Sequence, residues 1–410
     1  MVMKQKTITT IQDNRSNFLP HHIFYLYSKG SQKWESFFSW VLGVGCWELG
    51  VREKKLLSVV RCLLTFLIFA SMKKVAVVIL NYNGKNFLEK FLPFVIENNA
   101  DYAEIIVADN KSTDDSVDFM KHNFPNIRLI VNDFNGGFAT GYNVALRQVE
   151  AEYYILLNSD IEVTPNWIKP VIELMDSDKN IAACQPKILS YYEKTKFEYA
   201  GAAGGFIDKY GYPFCRGRMF QDLETDNGQY NDVKEIFWAT GACMFVRASL
   251  YHELGGLDDD FFAHMEEIDL CWRMKNAGYK IMYCPDSKIY HIGGGTLPKS
   301  SARKTYLNFR NNLSLLIKNL PNGKVFGTIL YRFFLDWIAA FKFLCGGSFA
   351  DFFAVTRAHC SFLRHLPYLK KKRRKLTQNT VSQIYQKNIV FKYFLGKKKL
   401  YSELEERDFS

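Results

Sequence analysis

Between residues 75 and 160 four short apolar runs each stop at polar or glycine residues, and this recurrence sharply limits the fold. Val75–Leu80 stops at Asn81-Tyr82-Asn83-Gly84, and Glu104–Ala108 at Asp109-Asn110-Lys111-Ser112-Thr113-Asp114. Ile127–Val131 stops shortly before Asn135-Gly136-Gly137, and Tyr153–Leu157 at Asn158-Ser159-Asp160. Runs of this length and β-branched content, bounded by turn residues, are strands buried on both faces. Helical spacing lies between them, as in Phe87, Leu88, Phe91 and Leu92. Strand and helix alternating over short connections predict a mostly parallel sheet covered on both faces. Ligands of such sheets sit beyond the carboxyl ends of the strands, so four loaded ends describe one composite pocket. Asp160 enters it from a rigid strand, where a carboxylate takes a hard divalent cation. The competing explanation for Asn158-Ser159-Asp160 is a plain turn.

The hydrophobic content of 48% supports a packed core, and nine cysteines without a CxxC pair fit reduced thiols. The net charge of +11 is uneven. Residues 1–71 hold nine cations against four acids, 72–296 hold 22 against 32, and 297–410 hold 22 against six. An acidic middle excludes a nucleic-acid binder, and a basic tail beside it points to an anionic membrane surface. Three regions follow: an atypical extension over 1–71, an α/β domain over 72–300, and a helical basic region over 301–410. The extension ends in the apolar run Leu56–Ala70, shorter than the roughly 20 residues of a membrane span. Met72 is the expected native start, with an N-terminal membrane anchor as the alternative. In the last region Leu330, Phe333, Phe334, Trp337, Ile338 and Phe341 form an apolar helical stripe broken by Arg332, Asp336 and Lys342. Followed by six cations at Lys370–Lys375, this predicts an amphipathic helix lying on the membrane.

Together the motifs carry a resemblance. Met72 to about Thr296 is similar to the family 2 glycosyltransferases, inverting enzymes with the GT-A fold, in their rhamnosyltransferase-like bacterial branch. The likeness rests on Val78–Gly84, Val107–Asp114, Asn135–Phe138 with Asn143, and Leu156–Asp160. It continues through Gly241-Ala242-Cys243-Met244, Phe261-Phe262, Glu266-Glu267-Ile268-Asp269 and His291. It implies a Rossmann-like mixed sheet flanked by helices, with a helical C-terminal extension. It further implies transfer from a nucleotide-diphospho-sugar to a glycan or lipid-linked acceptor, in the cytoplasm at the inner face of the cell membrane.

The resemblance assigns roles by position. Asn81, Tyr82 and Asn83 line the base, Asp109 accepts from a base N–H, and Asn110, Ser112 and Asp114 complete that shelf. Gly136 and Gly137 let backbone approach a ligand, with Asn143 bracing their loop. Asp160, after Asn158 and Ser159, holds Mg2+ or Mn2+, and His291 completes the metal site. Gly241 and Ala242 underlie the acceptor site, where Trp238 offers a stacking face. The family usually writes its base as Asp after Glu; here that position is Glu267, flanked by Glu266, with Asp269 orienting. Arg310 closes over the diphosphate. Two alternatives stay open: a nucleotidyltransferase on the same sheet, and a non-catalytic nucleotide-sugar-binding or assembly protein.

Overall fold

A computed structural model describes residues 73–99, 102–293 and 301–410. The expectations for residues 1–71 and the Leu56–Ala70 run lie outside the described residues. The first strand, β1 (Val75–Asn81), runs into α1 (Lys85–Glu97), then β2 (Ala103–Asp109), α2 (Ser116–Asn123) and β3 (Arg128–Val131). α3 (Gly137–Leu146) leads to β4 (Tyr153–Asn158). β1 pairs parallel with β2 and β4, and β2 with β3. Alternate residues face opposite ways. Ala76, Val78, Tyr154 and Leu156 join one core with α3, while Val77, Ile79, Ile155 and Leu157 join another with α1. Burial on both faces is why these strands read as unbroken apolar runs.

The second half departs from the mostly parallel expectation. β5 (Ile161–Val163), α4 (Lys169–Ser177) and β6 (Ile181–Ser190) come next. A small sheet holds β7 (Gly205–Asp208), β8 (Pro213–Cys215), β9 (Arg218–Met219) and β10 (Asp222–Leu223). The chain returns through β11 (Lys234–Ile236), β12 (Cys243–Arg247), α5 (Ala248–Glu253), α6 (Glu266–Asn276) and β13 (Lys280–His291). The main sheet has the order β11-β13-β6-β12-β4-β1-β2-β3, with β5 on β13. β12 runs antiparallel to both β4 and β6. Because it is reversed, its first residues, not its last, meet the end of β4: Cys243 pairs with Leu157, and Asn158 N donates to Ala242 O at 2.9 Å.

The last region is not a separate domain. α7 (Ala302–Asn319), α8 (Val325–Cys345) and α9 (Phe349–Arg373) precede β14 (Ile384–Tyr385) and α10 (Ile389–Phe394). β14 pairs parallel with β7, and Leu315, Leu316, Tyr385 and Ile389 enter the same core as the sheet. Residues Lys73–Ser410 form one compact unit.

α8 is turned inside out relative to an ordinary surface helix. Arg332 and Asp336, read as interruptions of the stripe, are buried. Arg332 donates to Tyr210 O at 2.9 Å and to Asp336 Oδ1 at 3.2 Å, and its guanidinium lies over the Tyr212 ring. Asp336 also receives Tyr212 OH and faces His359 Nε2, both at 3.2 Å. Phe326, Leu330 and Phe334 are instead 81%, 63% and 59% exposed. The buried charges are held because loop 210–212 and α9 supply their partners. Of the six-cation run, Lys372 binds Asp258 and Asp260, and Arg373 caps carbonyls of α7; the other four are exposed.

Candidate active site

Register brings the loaded strand ends together: Asn81 stands beside Asp109, Leu80 beside Asn158, and Asp109 beside Val131. The first two ends are then tied. Asp109 receives Ser112 N at 2.8 Å, Ser112 Oγ at 2.6 Å and Asn81 Nδ2 at 3.0 Å. Asn83 Oδ1 accepts from Thr113 N at 2.7 Å, and Asp114 accepts from Lys85 N and Ser116 N. Asp109 is 1% exposed, so its carboxylate builds the turn instead of facing a base. Asn83 and Asp114 are exposed along this shelf, while Tyr82 and Ser112 are half-buried. The buried Asn81 keeps its Oδ1 without a partner.

At the end of β4, Asn158 and Ser159 are half-buried and Asp160 is buried. β13 runs antiparallel to β5 and sets His291 opposite Ile161. His291 Nε2 thereby stands 3.1 Å from Asp160 Oδ1, across 131 positions of sequence. On its far side Nδ1 lies 3.1 Å from Glu198 Oε2, off the hydrogen-bond direction. Burial works against charge on His291, but Asp160 and then Glu198 outweigh it and push the imidazole up to about 10. Burial likewise works to raise Asp160, and the histidine's charge and hydrogen bond override it, holding the carboxyl below its ordinary range. An oxygen and an imidazole nitrogen 3.1 Å apart match two neighbouring ligands of a small divalent cation, whose bonds run about 2.0–2.2 Å. The donor set fits. No group of three or more such donors gathers among the described residues; Mg2+ sites commonly pair one or two carboxylates with water and substrate phosphates. Glu198 was not visible in the sequence; no local signal marks it.

The glycine loop meets protein, not open space. Gly137 has φ 79, and a Cβ there would stand 2.4 Å from Phe262 O, which accepts from Phe138 N at 2.7 Å. Asn110 Nδ2 donates to Gly137 O and Asn135 Oδ1, each at 3.0 Å, joining the shelf to this loop. Gly136 packs on Thr140, and Gly241 on the Phe138 ring. Asn143 braces a different segment from the one expected. Its Nδ2 donates to Leu257 O and Asp259 Oδ1, and its Oδ1 accepts from Tyr251 OH at 2.6 Å. It thus anchors the turn that leads into α6.

Glu266 and Glu267 open α6, and each keeps a buried Oε2 without a partner. Glu267 retains some exposed surface, whereas Glu266 is buried. Burial pushes Glu267 up to about 7, against backbone N–H groups of the first turn that pull it down. Glu266 is raised well above the ordinary range by burial and then by the charge of Glu267. Asp269 is different: burial opposes its charge, but Lys318 and Arg273 outweigh that and keep it ionised. It receives Arg273 Nε, Lys318 Nζ and Asn319 Nδ2, each at 2.8 Å, so it anchors helices and is spent as an orienting partner for substrate. Trp238 offers no stacking face. Its ring is buried over Gly205, and Nε1 donates to Phe206 O at 3.0 Å. Arg310 does not reach toward a diphosphate in this arrangement, because Nη2 donates to the carbonyls of Asp260 and Phe261.

Comparison with known proteins gives a family likeness. Residues 76–255 match the family described as Glycosyl transferase family 2. The N-acetylglucosaminyl-diphospho-decaprenol L-rhamnosyltransferase of Mycobacterium tuberculosis is 25% identical over 230 residues, which span 52% of this chain and 75% of that protein. Rhamnosyltransferase WbbL of Escherichia coli K12 is 25% identical over 224 residues, 53% of this chain and 83% of its own. Among solved structures, GalNAc-T7 with UDP, GalNAc and Mn2+ superposes with a TM-score of 0.48 at 16% identity, over 62% of this chain and 49% of that one. The family match ends before α6. Residues 76–255 of this chain thus carry a glycosyl transferase family 2 domain.

Proposed function

We propose that the chain transfers a rhamnosyl or related hexosyl unit, with inversion, from a nucleotide-diphospho-sugar to a hydroxyl of a lipid-linked glycan at the inner face of the cell membrane. The observation that carries this reading is a contrast between two carboxyl groups. Asp160 is held ionised beside His291, while Glu267 titrates near neutrality with an oxygen free. The shelf from Asn81 to Asn83 and Asn110 to Asp114 seats the nucleotide, and Asp109 fixes its shape. Asp160 and His291 hold Mg2+ or Mn2+, which when bound supplies positive charge to the leaving diphosphate. Glu267 takes the proton of the acceptor hydroxyl as its oxygen bonds to the anomeric carbon. The bond from that carbon to the diphosphate breaks on the opposite face, and its electron pair leaves with the phosphate. Glu266, kept protonated by burial and then by its neighbour, leaves the charge on Glu267. The rhamnosyl donor and polyprenyl-linked acceptor are suggested by the named activities of the two relatives.

The membrane part rests on α8. No helix among the described residues is long and apolar enough to cross a bilayer. The outward stripe of Phe326, Leu330, Phe334, Ile338 and Phe341 runs up to Lys342, which lies over the Phe394 ring. Apolar side chains pointing outward beside cations suit an anionic lipid interface. One experiment tests acceptor and surface together: label transfer from dTDP-rhamnose to a polyprenyl-diphospho-saccharide, presented in anionic vesicles or dispersed in detergent. The Leu330→Glu/Phe334→Glu variant is expected to lose at least tenfold of transfer in vesicles while keeping its rate in detergent. Equal rates in both would remove the membrane role, and label appearing only in a water-soluble saccharide would remove the lipid acceptor.

A further inference from the structure

The segment from Phe261 to Met265 delivers Glu266 and Glu267 to the site, and its backbone is unusual. Phe262, His264 and Met265 have φ of 64, 69 and 74, a left-handed conformation that non-glycine residues seldom take. Three such residues within four positions do not stay so on local preference; the surroundings must hold them. The strongest hold comes from α7. Asn311 is buried, and its single Nδ2 lies 3.0, 2.9 and 2.8 Å from the carbonyl oxygens of Phe261, Ala263 and His264. The Asn311 Oδ1 accepts from Arg310 Nε at 2.7 Å, and Arg310 Nη2 takes the carbonyls of Asp260 and Phe261 at 2.8 and 3.2 Å. Two adjacent side chains thus collect four carbonyls of one strained turn.

Both ends of the turn are gripped from the same helix. Lys318 pairs with Asp258 at 2.5 Å and with Asp269 at 2.8 Å, and Asn319 donates to Asp269. On the opposite side Phe262 O is fixed by Phe138 N from the glycine loop. Asparagine is a poor choice for a helix interior on propensity alone, so its place in the middle of α7 calls for a tertiary reason. Collecting these carbonyls is that reason.

We infer that Asn311 is a positioning residue for the reaction, acting through the 261–265 turn to set the carboxyl groups of Glu266 and Glu267. The inference rests on the reading of Glu267 as the base. It also gives the C-terminal region a second task besides meeting lipid, because the helix that shapes the active-site turn belongs to that region. Displacing a reacting group by about 1 Å costs on the order of 100-fold in rate, while the Asp109 knot and the Asp160–His291 pair at the strand ends keep bonds of their own.

The test uses the full chain and compares wild type with Asn311→Leu, which keeps size and removes both N–H groups, and with Asn311→Gln, which restores a donor. Transfer rate at saturating donor, affinity for the nucleotide-sugar by calorimetry, and Tm are read together. The expected result is a loss in kcat of about 30- to 100-fold for Asn311→Leu, with donor Kd within threefold, and partial recovery in Asn311→Gln. If Asn311→Leu does not fold, Arg310→Met removes the neighbouring carbonyl bonds from a less buried position. A three- to tenfold loss in kcat at unchanged donor Kd is then expected. A folded Asn311→Leu with wild-type kcat overturns the inference, and so does a kcat that falls only in step with donor affinity and Tm. For Arg310→Met, either an unchanged kcat or a weakened donor Kd does the same. The two readings fail separately. Full turnover in Glu267→Gln removes the base assignment, whereas an inactive Glu267→Gln beside a fully active Asn311→Leu removes only the positioning role.

Discussion

Replacing Glu267 with Gln is expected to reduce transfer by 10²–10⁴-fold, the usual contribution of a general base, while donor affinity changes little. The substitution keeps the size of the side chain and removes only its ability to take a proton. Wild-type transfer should rise with pH through about 7, since Glu267 acts as the carboxylate and burial places its titration there. The variant should lose that rise. Its stability should move the other way. The folded-state pKa of Glu267 lies above the ordinary glutamate value, so the folded chain binds more protons than the unfolded one between those limits. That contribution is fully present at low pH and is lost as pH rises through about 7. Glu267→Gln therefore gains Tm relative to wild type at pH 8, and the gain shrinks toward pH 5. Thermal melts at the two pH values, run beside the rate profile, check both halves.

Asp160→Asn is the second large effect, and it falls on the donor. The amide keeps the shape of β4's end but cannot carry the charge that pairs with His291 or holds a divalent cation. Donor turnover is expected to drop by at least 10²-fold, and added Mn2+ should no longer raise nucleotide affinity. Removing Asp160 also withdraws the largest source of the raised His291 pKa, leaving a buried imidazole beside Glu198 alone. Titration of His291 by NMR should therefore move down in Asp160→Asn. An unchanged His291 titration would mean the 3.1 Å contact does not govern the site.

How much of this was legible in the sequence depends on the range of the interaction. The four strand ends were legible because burial on both faces writes itself as continuous apolar runs, and parallel register then aligns their polar termini. Family resemblance pointed to Asp160 with His291; the structure adds that antiparallel pairing of β5 and β13 is what joins them. Short-range chemistry misled in one place. Asp109 was assigned to the base, but the Ser112 hydroxyl and amide three residues on take its oxygens. Ser112 serves that knot, Thr113 bonds Asn83, and the helix starts only at Ser116.

Long-range partners misled more often. Arg332 and Asp336 were read as solvent-facing breaks in an apolar stripe, because Tyr210, Tyr212 and His359 cannot be seen from α8's own sequence. Asn143 finds Leu257 and Asp259, more than 110 residues away, and no period announces that. Arg310 was assigned to the diphosphate, yet its partners and those of Asn311 are backbone carbonyls of residues 260–264. The composition shift near residue 300 marked a basic helical region, and β14 on β7 joins that region to the sheet before it.

The most direct measurement of the central claim is nucleotide release by the full chain from a panel of UDP-, dTDP- and GDP-sugars, in Mn2+, Mg2+ or EDTA. A metal-dependent release from one donor, abolished by EDTA and by Asp160→Asn, is the predicted result. Failure to bind any nucleotide-sugar, or turnover that persists unchanged in EDTA and in Asp160→Asn, would contradict the account.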